Sequence, residues 1–233
     1  MTQAINSKEL LLAMYLDAFD IGEEEVQAVA DVVRSKRLGG SFGDKTKKFE
    51  ASFADYLGVK FATSTCSQTA ALYFALGALG VGPGDEVIVP ACSSLATPNS
   101  VVYRNAVPVF ADIDEKTLNI CPTDVEKKIT PRTKAIIAVH MYGWPVEMDS
   151  ILEIAKKHNL FVIEDCALAM GAEYHGRKVG TLGDLGCFSF GTGKQLNIGQ
   201  GGMVVTNNEK LGKAAAKQNH HYGISREGRA IGA

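Results

Sequence analysis

The chain has 233 residues, with 24 Lys and Arg against 26 Asp and Glu, and this net charge of −2 is spread along the sequence rather than collected in blocks. No basic patch of the kind that binds nucleic acid or an anionic membrane surface occurs, so we expect neither partner. Hydrophobic residues make up 46% of the chain, which is enough to bury a sizeable core. The N-terminal segment lacks a basic stretch followed by a sustained apolar stretch, and no apolar run of about 18 residues occurs, so we expect a cytoplasmic location.

The cysteines favour reduced thiols, and no motif indicates a metal site. They are odd in number and form no C-x-x-C pair, and no H-E-x-x-H motif is present. We therefore expect neither disulfides nor a bound metal. The five cysteines are Cys66, Cys92, Cys121, Cys166 and Cys187.

Short β-branched segments alternate with segments of helical periodicity, which is typical of an α/β fold. The pattern predicts strands at 59–65, 82–90 (a turn, then a strand), 107–112, 133–143, 160–166, 186–190 and 202–206. It predicts helices at 67–80, 96–105, 122–129 and 147–158. Several of the strands are apolar throughout, as expected for a sheet that is covered on both faces.

The same pattern predicts three segments of different character. Residues 1–38 are predicted to be an N-terminal helical arm, and residues 39–218 to be one large domain. Residues 219–233 carry no strong pattern, so we expect a poorly packed tail.

Two polar segments follow predicted strands, where an open parallel sheet presents its ligands. In "TSTCSQTAAL" (63–72), small hydroxyl residues open a helix, so its free backbone N–H groups either hold a phosphate or are simply capped. In "VIEDCALAMGA" (162–172), Glu164 and Asp165 end a buried strand, where a carboxylate needs a partner. A ligand-binding role and a capping or ion-pair role both remain open for these acids.

A third segment, "CFSFGTGKQLNIGQGG" (187–202), places Lys194 among glycines shortly after a strand. An isolated loop lysine is usually solvated. Here, however, Ser189 lies five residues before it and three glycines follow, so a hydroxyl, an amine and close backbone approach occur together. The spacing does not match a nucleotide P-loop, and a lysine that forms a Schiff base fits better. A pyridoxal 5'-phosphate (PLP) site needs a phosphate cradle, a carboxylate facing the pyridine nitrogen and such an amine, and all three are present in sequence order.

These motifs, together with "GPGDEVIVPACSSLAT", "PVFADIDEKTLNI" and "ITPRTKAIIAVHMYGWPVEMD", resemble the DegT/StrS-type sugar aminotransferases, which are fold type I PLP enzymes. The resemblance spans residues 39–208 and implies a large α/β domain with a mostly parallel, seven-stranded sheet flanked by helices. It also implies a homodimer as the working unit. Relatives continue beyond the point that corresponds to Ala233, so we expect the C-terminal small domain to be absent from this chain.

The resemblance implies a role for several individual residues. Lys194 matches the lysine that bonds covalently to the cofactor and then moves the proton. Asp165 matches the aspartate that pairs with the protonated pyridine nitrogen. Ser189 matches a phosphate ligand, and Gln68 and Thr69 match the pair whose backbone and hydroxyl hold the same phosphate.

Four positions depart from the family pattern. Leu95 stands where relatives often place an aromatic residue on the pyridine face, and we expect it to pack there with less surface. Leu168 replaces a glutamine positioned to meet the ring hydroxyl. Gln68 replaces a glycine, and Gln200 replaces a glutamate.

The function implied by the resemblance is transfer of an amino group from L-glutamate to a keto group of a nucleotide-linked sugar. Sister enzymes that remove a sugar hydroxyl usually carry histidine at the position of Lys194, so the lysine favours transamination. The alternative is a truncated homologue that binds PLP or a partner without turnover. His140 is expected to be a satisfied core histidine, with a position near the cleft as the other possibility.

Overall fold

The structure is a computed structural model that describes residues 21–38 and 43–218. The chain divides into two compact units at the boundary between Asp44 and Lys45. The first unit holds helix α1 (Glu23–Ser35), whose first turn carries three acidic residues that favour the positive end of the helix dipole. The predicted arm and domain limits remain predictions, and the predicted 219–233 tail lies outside the described residues.

The second unit alternates strands and helices along the chain. Its helices are α2 (Lys45–Leu57), α3 (Gln68–Ala78), α4 (Ala96–Val102), α5 (Pro122–Lys128), α6 (Met148–His158) and α7 (Glu209–Gln218). Its strands are β1 (Phe61–Thr65), β2 (Glu86–Pro90), β3 (Val107–Ala111), β4 (Thr133–Val139), β5 (Phe161–Asp165), β6 (Glu173–Tyr174), β7 (Arg177–Lys178), β8 (Leu185–Ser189) and β9 (Gly202–Thr206). Within the described residues, no helix is long and apolar enough to cross a membrane.

Seven of these strands form one sheet in the order β1-β9-β8-β5-β4-β2-β3. β3, β2, β4, β5 and β8 pair in parallel, whereas β9 is antiparallel to both of its neighbours. This confirms the predicted α/β fold with a mostly parallel, seven-stranded sheet. The short hairpin of β6 and β7 forms a separate sheet.

The sequence-predicted elements are present, and their ends differ by a few residues. The largest difference is at the predicted strand 133–143, which ends at Val139 and continues into the 3₁₀ turn Met141–Gly143. Its partner β5 ends at Asp165 opposite Val139, so the ladder has no further residues to pair. Helices α2 and α7 and the β6–β7 hairpin were not predicted.

The core consists of two layers, one on each face of the sheet. Alternate residues of a strand point to opposite faces, so Ile88 and Ile136 pack against α2, α5 and α6. Their sequence neighbours Val87 and Ile137 pack on the other side against α3, α4 and α7. Because both faces are covered, the central strands are apolar throughout, as the sequence predicted.

The parallel arrangement brings the carboxyl ends of five strands to one edge of the sheet. β9 runs in the opposite direction and begins at this edge, beside the end of β1. The loops that follow β1, β2, β4, β5 and β8 therefore meet there, and open α/β sheets bind their ligands at such an edge.

Candidate active site

A cleft of about 250 Å³ opens at this edge of the sheet. Six of the seven site residues expected from the sequence line it, namely Gln68, Thr69, Asp165, Leu168, Ser189 and Lys194. The seventh, Leu95, is not part of the lining, and 76% of its surface is exposed. Its neighbour Ser94 lines the cleft, so Leu95 stands at the rim.

The start of α3 forms one wall of the cleft. Ser67 caps this helix: its backbone is extended and its Oγ accepts a hydrogen bond from the Ala70 N–H at 3.2 Å. Among the described residues, no protein acceptor takes the N–H groups of Gln68 and Thr69. The two sequence interpretations are therefore compatible, because the capped helix still directs free donors towards an anion.

Gly202 allows the start of β9 to lie against this helix entry. A Cβ at position 202 would lie 2.5 Å from the Ser67 carbonyl oxygen and 2.7 Å from Thr65 Oγ1. Any larger residue would displace the loop that ends at the helix. This close approach explains one of the glycines that follow the lysine in the sequence.

Asp165 lies at the floor of the cleft, with only 3% of its surface exposed. Its Oδ2 accepts a hydrogen bond from Thr97 Oγ1 at 3.0 Å, and its Oδ1 accepts one from the Ala167 N–H at 3.1 Å. Burial raises the pKa of this carboxyl, although the two hydrogen bonds, the nearby Gln68 amide and His140 all act to lower it. Since a buried carboxylate is stabilised by a cationic partner, a protonated pyridine nitrogen fits this position.

Lys194 belongs to the loop between β8 and β9. Its backbone N–H donates to the Gly191 carbonyl at 3.1 Å, and the next residue, Gln195, donates from Nε2 to the Leu168 carbonyl at 2.9 Å. The second bond ties the lysine loop to the loop that follows Asp165. In the part of the chain that the structure describes, no carboxylate lies within ion-pair distance of the Lys194 amine. The amine therefore faces the cleft without a competing acid.

Glu164, the acid next to Asp165, is fully buried and belongs to the fold rather than to the cleft. His140 Nδ1 accepts a hydrogen bond from the Val146 N–H at 3.0 Å, so Nε2 carries the proton and donates to Glu164 Oε2 at 3.0 Å. Three backbone N–H groups also donate to the Glu164 carboxylate, and these are Gly180, Leu182 and Gly183. His140 is therefore a satisfied core histidine, as expected.

His140, Glu164 and Cys166 lie close enough together to be considered as metal ligands. Both ring nitrogens of the histidine and both oxygens of the glutamate are already hydrogen bonded. Burial raises the pKa of Cys166 well above its ordinary value, which keeps the thiol protonated. This cluster is therefore a hydrogen-bonded part of the core rather than a set of free ligands.

Sequence reasoning did not find Thr97, the residue that donates to Asp165. It is fully buried on α4, and 68 positions separate it from its partner in the sequence. The only available signal was its place shortly after β2, at the carboxyl edge of the sheet. Gln195 was missed in the same way, because its contact with Leu168 joins two loops.

The residues present fit PLP. The buried Asp165 carboxylate would suit the ring nitrogen, the free N–H groups and the Ser189 hydroxyl would suit the phosphate, and Lys194 lines the same cleft. The fold is that of the fold type I aminotransferases, as two solved structures demonstrate. An aminotransferase from Psychrobacter cryohalolentis is 41% identical with a TM-score of 0.84, and the match covers 92% of this chain and 55% of that one. The NtdA structure from Bacillus subtilis, with bound cofactor PMP, is 35% identical with a TM-score of 0.79, and covers 88% of this chain and 47% of that one.

The chain belongs to the DegT/DnrJ/EryC1/StrS aminotransferase family, whose model matches residues 19–231. Among its relatives, the GDP-perosamine synthase of Caulobacter vibrioides is 52% identical over 171 residues, which cover 73% of this chain and 46% of that protein. The chain spans about half the length of the curated relatives it matches.

Proposed function

We propose that this protein is a PLP-dependent aminotransferase that moves an amino group from L-glutamate to a keto group of a nucleotide-linked sugar. The observation that carries the proposal is that Lys194 and Asp165 line one cleft together with the free N–H groups at the start of α3. The name of the relative, GDP-perosamine synthase, supports a sugar bound to a nucleotide as the acceptor. We further propose that the working unit is a homodimer, because the resemblance of the sequence to the family implies one.

In this proposal the two ends of the cleft bind the two polar ends of the cofactor. Ser189 and the N–H groups of Gln68 and Thr69 bind the phosphate, where the positive end of the helix dipole favours a dianion. Asp165 binds the ring nitrogen and keeps it protonated. When bound, PLP supplies an electron sink that stabilises negative charge on the substrate carbon. Leu168, which lines the cleft, would provide an apolar contact to the ring.

Lys194 is the proposed catalytic residue. With PLP bound, the Lys194 Nζ would be the amine that holds the aldehyde carbon of the cofactor, with loss of water, and the amino group of the donor would replace it there. The Lys194 amine would accept the proton from the amino-bearing carbon of glutamate as a general base, and as a general acid it would return the proton to the cofactor carbon on the other side of the shared nitrogen. With the keto sugar, the same amine moves a proton in the reverse direction. No metal is required by this scheme.

The test is transfer of labelled nitrogen. The purified chain is incubated with PLP, glutamate labelled with nitrogen-15 and a nucleotide-linked keto sugar, and the products are analysed by mass spectrometry. We expect 2-oxoglutarate and a labelled amino sugar. Lys194→Ala should abolish both products, whereas Lys156→Ala, at an exposed position of α6, should not change them. Product formation that survives Lys194→Ala would contradict the assignment.

A second candidate is a protein that binds PLP without turnover. Two features of the ring-binding region favour it: Leu95 is largely exposed at the rim, and the cleft wall has an apolar Leu168. The same experiment separates the two candidates, because this one requires PLP binding with no 2-oxoglutarate.

A further inference from the structure

A buried hydroxyl supports Asp165 from one side. Thr97 has no exposed surface, and its Oγ1 lies 3.0 Å from Asp165 Oδ2. Ser93 Oγ in turn donates to Thr97 Oγ1 at 2.8 Å. Because an ionised carboxylate only accepts hydrogen bonds, the threonine hydrogen is directed to Asp165, and the threonine oxygen is left to accept from Ser93. The two hydroxyls therefore form a chain that leads from the β2–α4 loop to the floor of the cleft.

A buried amide faces the same carboxylate from α3. Gln68 is 7% exposed and lines the cleft, and its Nε2 has no hydrogen-bond partner among the described residues. The amide is nevertheless close enough to Asp165 to lower the pKa of that carboxyl. A buried N–H donor without a partner is costly, so the amide is poised to donate once a ligand orders the carboxylate.

The oxygens of Asp165 offer about four lone-pair positions in all. Thr97 occupies one position on Oδ2, and the Ala167 N–H occupies one on Oδ1. A third donor would leave a single position for a ligand and would restrict the orientation of the carboxylate further.

We propose that Thr97 and Gln68 are positioning residues, which deliver a hydroxyl and an amide from two different helices to hold the Asp165 carboxylate for a protonated ring nitrogen. This inference rests on the proposed function, because it needs a ligand with such a nitrogen. It assigns the Gln68 side chain to the ring-nitrogen side of the cleft, in addition to the role of its backbone at the phosphate. Gln68 therefore does more here than the glycine it replaces could do.

The positioning acts only on a ligand that pairs with Asp165. The matched probes are PLP and its deaza analogue, in which C–H replaces the ring nitrogen and the phosphate and aldehyde are unchanged. Loss of a donor to Asp165 should weaken the binding of PLP and leave that of the analogue unchanged. A general disturbance of the cleft would weaken both.

The experiment measures the dissociation constants of both probes by absorbance titration of the full chain and of three variants. Thr97→Val removes the hydroxyl at nearly constant volume, and Ser93 keeps a partner in the Ser94 carbonyl. We expect the preference for PLP over the analogue to fall roughly tenfold or more, as for a lost hydrogen bond to a charged group. Thr97→Ser should restore the preference to within about twofold, since the hydroxyl is retained. Gln68→Met should also lower the preference for PLP over the analogue.

Four results would overturn the inference. Equal weakening of both probes would show a structural role, and an unchanged preference in Thr97→Val and Gln68→Met would show no role. If Thr97→Val does not fold, Gln68→Met alone must show the selective loss of PLP affinity. An unchanged preference for PLP over the analogue in Gln68→Met would then overturn the inference. Failure of the unsubstituted chain to bind PLP would refute the proposed function as well, so the two failures are distinguishable.

Discussion

Replacing Glu164 with glutamine tests the buried network that holds the end of β5. Glu164 Oε1 accepts the N–H groups of Leu182 and Gly183, both at 2.7 Å, and Oε2 accepts the Gly180 N–H at 2.8 Å and His140 Nε2 at 3.0 Å. A glutamine must turn its NH₂ towards one of these two pairs, so two donors lose their acceptor in either orientation. These are either the partly buried N–H groups of Leu182 and Gly183 or the buried Gly180 N–H and His140 Nε2. Each unsatisfied donor costs about 1–3 kcal/mol, and we expect a loss of about 3–5 kcal/mol in the free energy of unfolding. This is a large share of the stability of an ordinary domain.

The assay is urea unfolding followed by circular dichroism. Glu173→Gln is the matched control, because this residue is exposed on β6 and should change the free energy of unfolding by less than about 0.5 kcal/mol. A loss below about 1 kcal/mol for Glu164→Gln would refute the reasoning, since two donors left without an acceptor must together cost more than that.

Three further predictions concern the cleft and the thiols. Gly202→Ala places a Cβ 2.5 Å from a backbone oxygen, so we expect a loss of about 1–3 kcal/mol in urea unfolding together with weaker PLP binding. Burial raises the pKa of Asp165, so the ionised side chain destabilises the folded state at pH values above the ordinary aspartate pKa. Near neutral pH, Asp165→Asn should therefore unfold at a higher urea concentration than the unsubstituted chain, and this difference should disappear in acid. PLP should no longer stabilise the variant. Cys66 is exposed and should react with a disulfide reagent in the native chain. Burial raises the pKa of the Cys166 and Cys187 thiols well above the ordinary cysteine value, so these two should react only after unfolding.

The parts of the site that sequence could predict are those at strand ends. Asp165 and Lys194 each follow a recognisable apolar strand, and the strand-end rule places such residues at one edge of a parallel sheet. The strand pattern alone left open which of the two adjacent acids faces the ligand, and the resemblance assigned that role to Asp165. The structure answers this by strand geometry: neighbours in a strand point to opposite faces, so Glu164 turns into the core while Asp165 meets the cleft.

Contacts that depend on strand order could not be predicted. Thr97 reaches Asp165 because β2 and β5 both flank β4 in the sheet, and no local pattern specifies that order. The β6–β7 hairpin has two residues in each strand, too few for a periodic signal. Helix α7 did have a signal, since Asn208 Oδ1 accepts the N–H of Lys210 at 3.0 Å in the manner of a cap, ahead of an alanine-rich segment.

The most direct test of the central claim is the visible absorption spectrum of the purified chain with PLP, recorded before and after L-glutamate is added. We predict a visible band that is absent in Lys194→Ala, because Lys194 is the lysine that lines this cleft among the described residues. Glutamate should bleach this band as the cofactor is converted to its aminated form, PMP. A band of equal intensity in Lys194→Ala, or no band in the unsubstituted chain, would contradict the account of this cleft as an aminotransferase site.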